Sequence, residues 1–170
     1  AENDRLQTIF DQNLAKISEK AEKYWQISYL NVRSLKCHKE DVEKDNFLMS
    51  ADVFSLGETH LEKGEEIHIN GYTGVFASHG KGKGVSTFYN IECDPVNSIT
   101  SEKYSGIQLR FVKFDAIFLY LSSGCNKEEI LNHLESWIVE KRPTVIMGDI
   151  NIDYDKSNKL IKALDNLGFQ

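Results

Sequence analysis

The short apolar runs of this chain limit its possible folds more than any other feature, because none of them is long enough to form a buried helix by itself. Each run has three to six residues and is rich in β-branched and aromatic side chains. Such runs, bounded by polar and turn-forming residues, are typical of β-strands. The predicted strands are residues 27–32, 53–56, 75–77, 85–89, 107–112, 116–121 and 145–147.

Helical patterns separate only some of these strands. Residues 40–49, 127–139 and 156–167 have helical spacing, and Asn126 is a suitable N-cap for the second of these segments. Several strands follow one another between Ile67 and Leu121 with only turns between them. This order predicts an α/β fold with mixed, largely antiparallel sheets and outer helices, and it does not fit a doubly wound Rossmann arrangement.

The amino-terminal segment has a different pattern. Between Leu6 and Trp25, apolar residues recur three or four apart among charged ones, which predicts an amphipathic helix. We therefore divide the chain into an N-terminal helix, residues 1–26, and a single domain, residues 27–170. The helix could pack on its own domain, mediate self-association or belong to an upstream domain, since periodicity does not identify the partner of a buried face.

The composition of the chain limits the classes of molecule that it can bind. The chain has 170 residues and a formal charge of -6, so one core can form but no overall positive field is available to hold a nucleic acid. Any bound DNA must be held by local contacts. The three cysteines lack CxxC spacing, which favours an intracellular, reducing setting. The apolar runs are too short to span a membrane.

Polar residues interrupt or follow three of the predicted strands near the point where each strand ends. Asn31, Glu58, and Asp149 with Asn151 occupy these positions. Strand ends are rigid positions from which side chains can converge on a cleft. Carboxylate and amide oxygens are ligands that Mg²⁺ prefers, although any one such residue is more often a turn former or a helix cap.

The ordered set of motifs resembles a known superfamily. The motifs in chain order are Leu-Asn-Val-Arg-Ser-Leu at 30–35, Gly-Glu-Thr-His-Leu at 57–61, Gly-Val at 84–85, Tyr120, and Gly-Asp-Ile-Asn at 148–151. Together they resemble the endonuclease/exonuclease/phosphatase superfamily, and most of all the apurinic-type endonucleases of retrotransposons and Helitron-like elements. The resemblance implies a two-sheet α/β sandwich of the DNase I type, and an intracellular, in some settings nuclear, DNA-cutting enzyme.

The resemblance also implies roles for particular residues. Asn31 and Glu58 correspond to ligands of a catalytic Mg²⁺ or Mn²⁺. Asp149 corresponds to the residue that activates the attacking water or assists the leaving group. Asn151 corresponds to the residue that steadies the pentavalent phosphate, and Tyr120 to a tyrosine that hydrogen-bonds near the scissile phosphate.

Four further residues are candidates for contacts with the substrate backbone. Arg33 and His60 lie within the motifs at 30–35 and 57–61, and Lys81 and Lys83 lie in a glycine-rich turn. Basic side chains at such places can contact phosphates. A solvated loop is the more ordinary role for the two lysines.

The sequence departs from the superfamily pattern at three places. Tyr120 is not followed by the usual tyrosine-x-proline pattern, and Arg33 stands where apurinic-repair enzymes carry an acidic residue. The final Ser-Asp-His motif has no counterpart in these 170 residues. We therefore expect the carboxy-terminal part of the fold to be missing and the chain by itself to be weakly active or inactive.

Two other functions remain open on the sequence. A small-molecule or phosphoinositide phosphatase would use the same metal chemistry, and the absence of a positive field favours it. A non-catalytic binding module that lacks the final motif is the second alternative.

Overall fold

The computed structural model describes residues 25–80, 83–151 and 158–169. Within these residues the chain forms two four-stranded sheets. The strands are β1 (Ile27–Asn31), β2 (Val53–Gly57), β3 (Thr73–Ser78), β4 (Gly84–Tyr89), β5 (Asp94–Thr100), β6 (Tyr104–Arg110), β7 (Asp115–Leu121) and β8 (Thr144–Asp149).

Both sheets are mixed and largely antiparallel, as the sequence predicts. The first has the order β1-β2-β4-β3 and the second the order β5-β6-β7-β8. In each sheet one pair is parallel, β1 with β2 and β7 with β8, and the other pairs are antiparallel. Each parallel pair is joined through helical segments, because a parallel connection must cross back over the sheet.

Side chains alternate between the two faces of each strand, so the core has one layer between the sheets and one layer outside each sheet. Ala116, Phe118 and Tyr120 of β7 face the other sheet, whereas Ile117 and Leu119 pack beneath the helices. The first sheet has the same pattern, because successive side chains of a strand point to opposite faces. The two sheets therefore enclose one apolar layer, and helices cover their outer faces.

The helices are α1 (Leu35–Lys44), α2 (Asn46–Met49), α3 (Lys127–Trp137) and α4 (Asn158–Asn166). The single helix predicted at 40–49 is wrong in extent. The first helix begins at Leu35, and the chain breaks at Asp45, whose carboxylate accepts hydrogen bonds from the Phe47 and Leu48 amides. A cap of this kind begins a new helix where periodicity alone shows a continuous one. Asn126 caps α3 as predicted.

Strand β5 is absent from the sequence prediction. It contains Pro95 and Asn97, which have low β-propensity, and the register shifts between them. It lies at the sheet edge and is largely exposed, so it has no continuous apolar run to mark it. The strand predicted at 107–112 ends instead at Arg110, and Val112 is 80% exposed in the following turn.

The predicted amino-terminal helix lies outside the described residues, apart from Trp25. Trp25 packs its ring on Phe111 and Phe114, with centroid distances of 5.1 and 5.2 Å. In the described part of the chain, no helix is both long and apolar enough to cross a membrane.

A buried ion cluster closes the end of the second sheet where β7 begins. The Asp115 carboxylate is fully buried and accepts hydrogen bonds from Arg110 Nη2 at 3.0 Å and Arg142 Nε at 2.7 Å. Gln108 Nε2 donates to the same carboxylate at 3.0 Å. Burial raises the pKa of Asp115, but the two arginines outweigh this effect and the pKa is lowered.

We expect Asp115→Asn to lower the free energy of unfolding at pH 7 by about 2 kcal/mol, because the variant loses charge-assisted hydrogen bonds. A carboxyl whose pKa is lowered by folding stabilises the protein above its unfolded pKa, and this contribution is lost as the pH falls through the folded value. The difference between the two proteins should therefore shrink at about pH 3. Urea unfolding at both pH values measures it, and an unchanged difference would contradict the assignment.

Candidate active site

One end of the layer between the sheets collects the polar side chains that follow the strands. Asn31 is the register partner of Gly57 in the first sheet, and Tyr120 is the partner of Asp149 in the second. Because β1 runs parallel to β2, and β7 to β8, the carboxyl ends within each pair lie together. Tyr29 is on the same face of β1 as Asn31, two residues earlier.

The Asn31 amide joins the two sheets at this end. Its Nδ2 atom donates to Asp149 Oδ2 at 2.6 Å, and lies 3.5 Å from Glu58 Oε1. The amide oxygen accepts a hydrogen bond from the Tyr29 hydroxyl at 3.3 Å. Residues 27 and 118 positions away from Asn31 therefore meet around a single side chain.

The loop after β1 holds Glu58 in place through its backbone. The Ser34 amide donates to the Glu58 carbonyl at 2.8 Å, and the Leu35 amide donates to the Thr59 carbonyl at 2.9 Å. Glu58 itself has a φ of 54°, in the left-handed region that non-glycine residues seldom occupy. A backbone conformation of this kind costs free energy and persists only where the surrounding structure holds it.

Asp149 is oriented from two sides. Its Oδ1 atom accepts from the Asn151 backbone N–H at 3.1 Å, and its Oδ2 atom accepts from Asn31. The side chain of Asn151 donates one N–H to the Leu121 carbonyl at 2.8 Å, which ties the end of β8 to β7. Asn151 is exposed, so its second amide N–H can reach a bound molecule.

Two tyrosine hydroxyls face this cluster. Burial raises the pKa of Tyr120, and the negative charges of Glu58 and Asp149 raise it further. Burial likewise raises the pKa of Tyr29, aided by the same two carboxylates and opposed by a hydrogen bond with the Asp149 backbone. Both hydroxyls therefore remain protonated at neutral pH and can donate hydrogen bonds.

Three of the four predicted substrate-contacting residues lie in loops next to this end of the strands. Arg33 and His60 are exposed in the loops after β1 and β2, each with a φ near 50°. Lys83 is half-buried beside Gly84, whose carbonyl accepts from the Thr59 amide at 3.3 Å. Lys81 lies outside the described residues.

The charge of the cluster is unbalanced. Glu58 and Asp149 are half-buried, and neither forms an ion pair with a basic side chain of the described residues. No group of three or more His, Cys, Asp and Glu side chains suited to a metal ion occurs in that same part of the chain. The oxygen donors are two carboxylates and one amide, a sparse set that leaves coordination positions to water or phosphate.

Sequence reasoning missed Tyr29 and Gly57 as members of the site. The apolar pattern of β1 makes Tyr29 look like a core residue, and its ring does pack in the layer between the sheets. A spacing of two from Asn31 was the signal that could have identified it, because that spacing places both side chains on the same face.

The fold is shared with solved DNA-processing enzymes. An AP endonuclease from Archaeoglobus fulgidus matches with a TM-score of 0.62 at 19% identity, over 86% of this chain and 66% of that one. The endonuclease domain of the telomere-specific retrotransposon TRAS1 matches with a TM-score of 0.60 at 14% identity, over 85% and 72%. The 3′ phosphatase NExo from Neisseria, bound to a product DNA hairpin, matches with a TM-score of 0.55 at 16% identity, over 85% and 71%.

The chain has the endonuclease/exonuclease/phosphatase fold. It spans a little under two thirds of the archaeal enzyme's length. No family model and no curated protein matches the sequence. The prediction of this endonuclease/exonuclease/phosphatase fold from five short ordered motifs is confirmed, although each motif alone is weak.

Proposed function

We propose that this protein hydrolyses phosphodiester bonds in DNA with the aid of Mg²⁺ or Mn²⁺. The observation that supports it is the meeting of Asn31, Glu58 and Asp149 within hydrogen-bonding distance across two sheets. These three residues are among the five to which the superfamily resemblance assigns roles. They meet although Glu58 and Asp149 are 27 and 118 residues from Asn31 along the chain.

The residues present fit a divalent cation. Glu58 offers a carboxylate ligand, and the Asn31 amide oxygen, which accepts one hydrogen bond from the Tyr29 hydroxyl, keeps a second lone pair for a cation. Neither Glu58 nor Asp149 forms an ion pair with a basic side chain of the described residues. Unpaired, half-buried negative charge is costly unless a cation or a proton balances it. A divalent cation here would polarise the phosphate and acidify a water molecule.

Asp149 is the proposed general base. Its carboxylate is held by N–H donors on both oxygens, which fixes its direction while leaving lone pairs free to accept a proton from water. The free N–H of Asn151 and the Tyr120 hydroxyl are proposed to donate to phosphate oxygens as their negative charge increases.

DNA is the proposed substrate because matched structures of this fold include an AP endonuclease, a retrotransposon endonuclease domain and an enzyme bound to a DNA hairpin. The formal charge of -6 requires that attraction to DNA be local. Arg33, His60, Lys81 and Lys83 are the proposed backbone contacts. The Glu-Thr-His-Leu motif at 58–61 supports an origin in a mobile element.

Metal binding can be tested without any activity. We expect one Mn²⁺ to bind the wild-type chain, measured by titration with the electron paramagnetic resonance signal of free Mn²⁺. Glu58→Gln should weaken binding by at least about 10-fold, because it removes the charged oxygen ligand. Glu66→Gln, an exposed residue of the following loop, is the control and should bind like wild type. Equal binding by Glu58→Gln would remove the metal assignment.

A phosphatase acting on small molecules or phosphoinositides is the second candidate. The net negative charge favours it, since a small substrate needs no extended positive surface. A panel of plasmid DNA, a 3′-phosphorylated oligonucleotide and an inositol phosphate separates the two. Nicking of the plasmid supports the proposed nuclease, and release of phosphate from the inositol phosphate alone supports the phosphatase.

A further inference from the structure

Tyr29 contacts the site although no superfamily motif includes it. It lies on the inner face of β1, and its ring packs in the layer between the sheets. Its hydroxyl donates to the Asn31 amide oxygen at 3.3 Å, and the Asn31 amide nitrogen donates to Asp149 on the opposite sheet at 2.6 Å. Tyr29 is therefore linked to the second sheet through Asn31.

Gly57 makes this placement possible. A Cβ atom at this position would lie closer than 3.0 Å to both the Tyr29 hydroxyl and the Asn31 amide oxygen. The backbone of Gly57 has no positive φ, so conformation alone does not require glycine there. Glycine is needed there because the Tyr29 hydroxyl and the Asn31 amide oxygen occupy the space that a side chain would fill.

The two ends of an asparagine amide have opposite hydrogen-bonding character, although they have nearly the same shape. In this site the nitrogen end of Asn31 faces the two carboxylates, and the oxygen end faces the Tyr29 hydroxyl. Without the hydroxyl, the oxygen end would lose the only hydrogen-bond donor it has among the described residues. The amide orientation would then depend on the carboxylates alone.

We propose that Tyr29 is a positioning residue that fixes the orientation of the Asn31 amide, in the space that Gly57 leaves open. The expected effect on catalysis rests on the proposed function, whereas the expected effect on the orientation of the Asn31 amide does not. Tyr29 acts through Asn31 and is not itself assigned a contact with substrate. Partners that orient a ligand in this way commonly change activity by about 10- to 100-fold when they are removed.

The structural test uses the side-chain NH₂ resonances of Asn31 in a ¹H–¹⁵N spectrum. They are assigned as the pair that disappears in Asn31→Ser. Tyr29→Phe removes only the hydroxyl, and we expect the Asn31 pair to shift or broaden. Tyr89→Phe is the matched control, because Tyr89 packs in the same layer at the opposite end of β4. That variant should leave the pair unchanged.

The kinetic test compares nicking of a supercoiled plasmid at saturating Mg²⁺ by proteins expressed with the sequence that flanks these residues, because we expect the 170 residues alone to be weakly active or inactive. For Tyr29→Phe we expect kcat to fall by about 10-fold with KM for DNA unchanged, since the residue orients a ligand and does not bind DNA. Gly57→Ala should disturb the same amide resonances by displacing the hydroxyl.

The two tests separate the inference from the proposed function. An unchanged Asn31 pair in Tyr29→Phe overturns the inference, whatever the enzyme does. A shifted pair with unchanged kcat in an active wild type also overturns it. If the wild type cleaves no DNA, the proposed nuclease function fails and the amide resonances alone decide whether Tyr29 positions Asn31.

Discussion

Replacing Asp149 with asparagine should reduce DNA hydrolysis by about 10³-fold or more, because a general base is lost and contributes about 10²–10⁴-fold. Asparagine has the same shape and can keep the hydrogen bond from Asn31 through its own amide oxygen. The loss should therefore fall on kcat, with the fold and the KM for DNA retained. Plasmid nicking with Mg²⁺ measures the rate, using protein expressed with the sequence that flanks these residues in its open reading frame.

The control for this experiment is Asp94→Asn. Asp94 is exposed at the start of β5, where it pairs in register with Arg110 at the far end of the second sheet. It carries the same charge as Asp149 but has no place in the proposed chemistry, so its rate should match wild type. Retention of more than a tenth of the wild-type rate by Asp149→Asn would exclude the proposed general base.

The second large effect is on stability, at Gly148. A Cβ atom there would overlap the backbone carbonyl of Leu119, the register partner on β7, and the φ of 156° is one that side-chain-bearing residues rarely adopt. Neither β7 nor β8 can move away without breaking the hydrogen bonds of the parallel pair that leads to Asp149. Gly148→Ala should lower the free energy of unfolding by about 4 kcal/mol, the sum of a backbone strain and an overpacking cost. Urea unfolding followed by circular dichroism measures it.

Gly124→Ala is the matched control for Gly148. Gly124 has a φ of 80°, but no atom beyond its chain neighbours lies within 4 Å of the point that an alanine methyl group would occupy. Its substitution should cost only the left-handed conformation, about 1 kcal/mol. Equal losses for the two variants would show that the close approach of Gly148 to β7 is not the cause.

The outer parts of the sandwich were harder to predict than its centre. Strands β2, β4 and β7 are buried on both faces and have short runs of apolar residues, interrupted only by Ser55 in β2 and by Ser86 and Thr87 in β4. The edge strand β5 contains Pro95 and Asn97 and has no such run, so pattern alone could not identify it. The break between α1 and α2 depends on a cap at Asp45, which is a local hydrogen bond and not a periodic signal.

The candidate site divides in a similar way. Asn31, Glu58 and Asp149 could be selected from the sequence because polar residues stood at the ends of apolar strands and in a familiar order. Tyr29 could not, because a tyrosine in an apolar strand has the pattern of a core residue. Only its hydroxyl, 3.3 Å from the Asn31 amide oxygen, distinguishes it from one.

The sequence by itself determined most of the strands, their mixed and largely antiparallel arrangement, and which side chains share a face, because strand periodicity is a local property. The tertiary structure decided which faces meet. The contact of Asn31 with Asp149, 118 residues apart, depends on how one sheet stacks on the other. The burial of Asp115 between Arg110 and Arg142 depends on how β6, β7 and β8 pair within the second sheet. That stacking follows from the packing of the whole core, and no short segment of the sequence encodes it.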